Sequence, residues 1–85
     1  MNYSTIMVVL LDKRTDAAPR VQEILTRYGC IIGTRIGLHQ LNDCSEEGLI
    51  ILHIGGNDGE VEKLAGELAG VHRVKVQQMK VGFDQ

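Results

Sequence analysis

Two short stretches constrain this chain more than any others. "TIMVVLL" (residues 5–11) and "LIILHI" (residues 49–54) carry large aliphatic side chains at odd and even positions alike. A strand sends alternate side chains to opposite faces of a sheet, so runs of this kind read as strands buried on both sides. Both therefore belong in the interior of a sheet. Neither reaches far enough for other uses. The first aliphatic run, Ile6 to Leu11, is six residues long, too short for a signal-peptide core and far below the ~20 needed to cross a bilayer. No membrane partner is expected.

The segments between these runs change period in an ordered way. After "DKR", Asp16 is placed to cap a helix whose first turn accommodates Pro19, with Ala18, Val21, Leu25 and Tyr28 forming an apolar stripe. Gly29 is expected to close that helix as a left-handed cap. From Cys30 the period becomes two, with Ile32, Thr34, Ile36 and Leu38 on one face and Ile31, Gly33, Arg35, Gly37 and His39 on the other. "LNDCSEEG" is rich in turn formers, so the second and third strands form a hairpin. Asn57 and Glu60 have capping-box spacing ahead of the stripe Val61, Leu64, Ala65 and Leu68, and Gly70 is the expected stop. Last, "VHRVKVQQMKV" alternates Val74 and Val76 with Arg73, Lys75 and Gln77, as an edge strand with one wet face does.

The element order is βαββαβ, and 85 residues support one hydrophobic core. A single domain over residues 1–85, with its core at about 5–81, is expected. Right-handed crossovers then give a four-stranded antiparallel sheet in the order 4-1-3-2 with both helices on one face. This is the α+β, ferredoxin-like plait. It puts the two doubly apolar strands at the centre and the charged fourth strand at an edge. One face of the sheet is left without helices, yet whichever register holds, the central strands send aliphatic groups to it. A patch of that kind marks an interface, and a homo-oligomer, dimer or tetramer, is expected to bury it.

Chemistry is harder to find. The acids sit in the turn (Asp43, Glu46, Glu47), near helix starts (Asp16, Asp58, Glu60) or on exposed helix positions (Glu23, Glu62, Glu67), where capping and solvation account for them. No nucleophile and base stand in an evident catalytic pattern, so no enzyme and no catalytic residue is expected. "GGNDGE" lacks the lysine and the spacing of a phosphate loop. A net charge of −2 leaves no footprint for a phosphate backbone, and the central runs contain no Phe, Tyr or Trp to stack bases, so no direct nucleic-acid binding is expected. No cofactor is required by the sequence. Cys30 and Cys44, with thirteen residues between them, form no CxxC pair and read as thiols of a reducing cytoplasm. One metal reading has content. With Leu41 opposite Leu49, His39 would face Ile51 diagonally from His53, and Cys44 would add a thiolate, a donor set suited to zinc or nickel.

Several segments together carry a family resemblance: "ILTRYGCIIGTRIGL" across the first helix and second strand, "EEGLIILHIGG" in the third strand, and "LAGELAGVHRVKV" at the close. Over about residues 5–81 the chain resembles the iron-only hydrogenase system regulators, stand-alone relatives of ACT domains. The resemblance implies a regulatory, ligand-responsive or assembly-forming ACT-like module, often dimeric or larger and associated with iron-only hydrogenase systems, and its inter-subunit surfaces are expected to bind a small-molecule effector or a partner protein. The nickel-responsive repressor has a more distant ACT-like domain that binds metal through histidines and a cysteine around the same hairpin. His39 and Cys44 fall near that pattern, while Arg35 and Gly37 stand where its histidine-rich strand would be.

Overall fold

In the computed structural model, residues 3–12, 14–39 and 47–83 are described. The elements follow as β1 (Tyr3–Leu11), α1 (Arg14–Arg27), β2 (Ile32–His39), β3 (Gly48–Ile54), α2 (Asp58–Ala69) and β4 (Val74–Gly82). The sheet order is β2-β3-β1-β4 with every pair antiparallel, the plait expected from the sequence. β1 holds the centre, paired to β3 with Met7 opposite Leu52 and to β4 with Val9 opposite Val76.

Alternation on the central strands sorts their aliphatics into two sets. Met7, Val9 and Leu11 of β1 and Ile50, Leu52 and Ile54 of β3 are buried beneath the helices. Val21, Ile24 and Leu25 of α1 and Val61, Leu64 and Leu68 of α2 complete that core. The helix stripes lie as the spacing predicts, with Ala17 and Ile24 added to the buried face of α1. α1 begins at Arg14, earlier than expected. Asp16 is therefore in its first turn, where a carboxylate suits the helix dipole, and Pro19 lies inside the helix. Gly29 is not left-handed either. Among described glycines only Gly56 has positive φ, at 85°, and the chain leaves α1 through tight turns in which the Gly29 N–H donates to the Thr26 carbonyl.

Local chemistry fixes the entry to α2. The Asn57 side chain accepts from the Glu60 N–H at 2.8 Å and the Glu60 carboxylate accepts from the Asn57 N–H at 3.3 Å, closing the capping box. Gly56 precedes it because a Cβ there would stand 2.9 Å from Ile31 Cγ2 as well as needing positive φ. Between α2 and β4, Arg73 takes φ of 65°, a conformation costing about 1–2 kcal/mol for a residue with a Cβ. Its carbonyl accepts the Asp12 N–H at 3.0 Å and its guanidinium pairs with the Asp12 carboxylate, joining the end of β1 to the start of β4.

The two helices are tied at one end by a polar cluster. Glu67 of α2 accepts from the Tyr28 hydroxyl and the Arg27 guanidinium, each at 2.5 Å. The Tyr28 bond, followed by Arg27, holds the Glu67 carboxyl below its ordinary value, and the same bond raises the Tyr28 phenol. A lowered carboxyl pKa stabilises the fold fully above the unfolded value and less as pH falls through the folded one. Glu67→Gln is therefore expected to lower Tm at neutral pH. Its gap to the wild type should hold down to about pH 5 and shrink as pH drops below the ordinary 4.5, measured by thermal melts across pH. Leu52→Ala, at a fully buried site under both helices, should cost about 2–5 kcal/mol in urea unfolding with little change in slope.

Candidate functional site

Opposite the helices, the sheet presents a second set of aliphatics. β1 contributes Ile6, Val8 and Leu10, and the register sets Val8 between Ile51 of β3 and Gln77 of β4, with Ile36 of β2 beyond Ile51. Leu10, Leu49 and Leu38 form the next row, and Ile6 lies beside Met79. Ile36, Leu38, Met79 and Val81 are between 44% and 60% exposed, far above what an aliphatic core position shows. The polar members of this face lie toward its ends and edge: Ser4, Thr34 and His53 at one end, Lys75 and Gln77 along β4. The expected apolar face is thus present. Along β4 it reaches past the wet face expected of a charged edge strand. Met79 and Val81 join the patch by the same period of two.

β2 is the least covered element. From Gly33 to Leu38 every residue is exposed, whichever face it occupies. The helix-side positions are Arg35 and Gly37, which offer α1 no aliphatic group to pack on. Arg35 instead donates to the Gln22 side chain on α1. A cleft of about 230 Å³ remains between α1 and the hairpin, lined by Leu11, Ala18, Gln22, Gly37, Gly48 and Ile50 among others. A bulge separates Ile32 from Thr34. Ile32 sits opposite Ile54 and packs against the core, whereas Thr34, two residues on, sits opposite His53 on the uncovered face. The expectation that Ile32 and Thr34 share a face is corrected by this extra residue, Gly33.

The hairpin register also differs from the one assumed for the metal reading. Leu38, not Leu41, is opposite Leu49, and His39 is opposite Gly48, not Ile51. His53 pairs with Thr34, so the two histidines stand five rungs apart along the hairpin at opposite parity. His53 is exposed on the uncovered face. Cys44, and the turn residues 41–46 with it, lie outside the described residues. Among the described residues no three His, Cys, Asp or Glu side chains cluster as metal ligands would. Cys30 is a free, exposed thiol between α1 and β2. At "GGNDGE" the first turn of α2 is occupied by its own Asn57 and Glu60 side chains.

No helix among the described residues is long and apolar enough to cross a membrane. No curated protein matches the chain in sequence. Among solved structures it is similar over 95% of its length to all of TM1266 from Thermotoga maritima, at 20% identity and a TM-score of 0.85. It is also similar to the apo form of CPII from Thiomonas intermedia K12, a nitrogen regulatory PII-like protein, at 16% identity and a TM-score of 0.62, covering 98% of this chain and 96% of that one. A formyltetrahydrofolate deformylase from Pseudomonas putida KT2440 shares the fold over 28% of its own length and 89% of this chain, at 11% identity and a TM-score of 0.58. These likenesses concern the fold. A family model described as "TM1266-like: Iron-only hydrogenase system regulator, putative" matches residues 3–78. The chain belongs to the TM1266-like family.

Proposed function

We propose that this chain is a non-catalytic regulatory module of an iron-only hydrogenase system, an ACT-like domain that works as a cytoplasmic homo-oligomer and answers to a small effector at its subunit interface. The observation that carries the reading is the uncovered sheet face. Val8, Leu10, Leu49 and Ile51 are half-buried on it, with the exposed Ile36, Leu38, Met79 and Val81 around them. Burial of such a face between copies stabilises association by roughly 25 cal/mol for each Å² of apolar surface removed from water. The regulatory part of the reading is supported by the family to which the chain belongs. The structure of CPII bound to ADP, AMP and bicarbonate shows that a protein with a similar fold carries small ligands. In this chain the cleft beside Gln22 and Gly37, on the helix side of the sheet, offers room for a small molecule. A free exposed thiol at Cys30 suits a reducing cytoplasm.

Sedimentation at micromolar concentration is expected to give a dimer or tetramer, and a persistent 9.4 kDa species would overturn the assembly. Ile51→Lys puts an ammonium at the middle of the apolar face. It should weaken association at least about a hundred-fold while leaving the circular dichroism of the monomer intact. Thermal-shift measurements with amino acids, adenine nucleotides and divalent metals test the effector, since a ligand of the native state raises Tm by mass action. A rise with an organic ligand is expected. A rise with zinc or nickel alone would move the assignment to metal sensing at the hairpin, through His39, Cys44 and His53.

A further inference from the structure

We infer that an effector site lies at the His53 end of the uncovered sheet face and takes an aliphatic carboxylate, its head on Ser4, Thr34 and His53 and its chain along Ile6, Ile36 and Ile51. This rests on the effector reading proposed above and names the chemistry of the ligand. A hollow of about 480 Å³ lies there, walled by Ile6, Ile36, Ile51 and Val81, with Ser4, Thr34 and His53 as its polar groups. The register gathers those three at one spot. Thr34 is directly opposite His53, which sets their Cα atoms about 4.5–5.5 Å apart. Ser4 is diagonal to His53 on the neighbouring strand, at about 7–8 Å, so one small head group can reach all three.

The bulge at Gly33 is what supplies Thr34. Ile32 packs toward the core, and regular alternation would turn Thr34 the same way; the extra residue turns it onto the uncovered face beside His53. Among the described residues, none of the three side chains is taken up by a hydrogen bond within the chain. Each can donate one, from two hydroxyls and an imidazole N–H that is present in either protonation state. Charge selects the acceptor. The described strand residues of this face include no Asp or Glu, and their ionisable groups are His53 and, at the far end opposite Leu10, Lys75. A carboxylate thus meets donors and no opposing acid, whereas an ammonium head would find no counter-charge. Beyond the head, the aliphatic side chains give an alkyl chain an apolar bed, and a second copy packed on the face would close over it.

Calorimetric titration of the full chain with butanoate, octanoate and octylamine tests the site, with sedimentation run on the same samples. Affinity is expected to rise about three- to fourfold for each methylene added from butanoate to octanoate, and octylamine to bind at least about tenfold more weakly than octanoate. His53→Leu should weaken octanoate about tenfold, as should the pair Ser4→Ala with Thr34→Val, while His53→Gln, which keeps a donor, loses less and Lys75→Gln loses nothing. Octylamine binding as tightly as octanoate would overturn the site, as would octanoate binding that falls on Lys75→Gln and not on His53→Leu. An oligomer that binds no octanoate would overturn it and leave the assembly standing. A monomer that binds octanoate through His53 would overturn the assembly and leave the site standing.

Discussion

The structure depends on the pairing of β1 with β3. These two strands bring aliphatic groups to both sides of the sheet, so whatever covers one side leaves an equal demand on the other. α1 and α2 meet the demand on one side with Val21, Ile24, Leu25, Val61, Leu64 and Leu68. On the other side nothing in the described chain does so. A domain of this size gains little from an apolar surface left in water, and that face is what the proposed assembly would bury.

Around that pair the remaining elements are held by smaller, local devices. A capping box begins α2, an ion pair and a backbone bond join Asp12 to Arg73, and Glu67 links the ends of the helices. All sit at corners where the chain turns. None lies on the uncovered face.

The element order, the sheet order and both helix stripes were legible because each rests on a period that local sequence displays. The hairpin register was not. It depends on how many residues the turn and the bulge at Gly33 consume, and a slip of one reverses every face assignment on β2. The register that would set Leu41 opposite Leu49 differs from the observed one for that reason. The Glu67 cluster was equally hidden, since Tyr28 and Glu67 are 39 residues apart, the one read as part of an apolar stripe and the other as an exposed helix position. Pro19 misled in a different way, because a proline expected in the first turn stands within a helix that starts at Arg14.

The strand order also governs when the sheet can form. β1 is hydrogen-bonded to β3 and β4, never to β2, so the first half of the chain contains no strand pair of its own. During synthesis β1 and α1 emerge with their aliphatic faces exposed and must wait for residues beyond Gly48 before any ladder closes. The final strand is needed to cover the last edge of β1. Folding of this domain consequently draws on many contacts distant in sequence, which places it with mixed α/β domains, slower than helical bundles of its size.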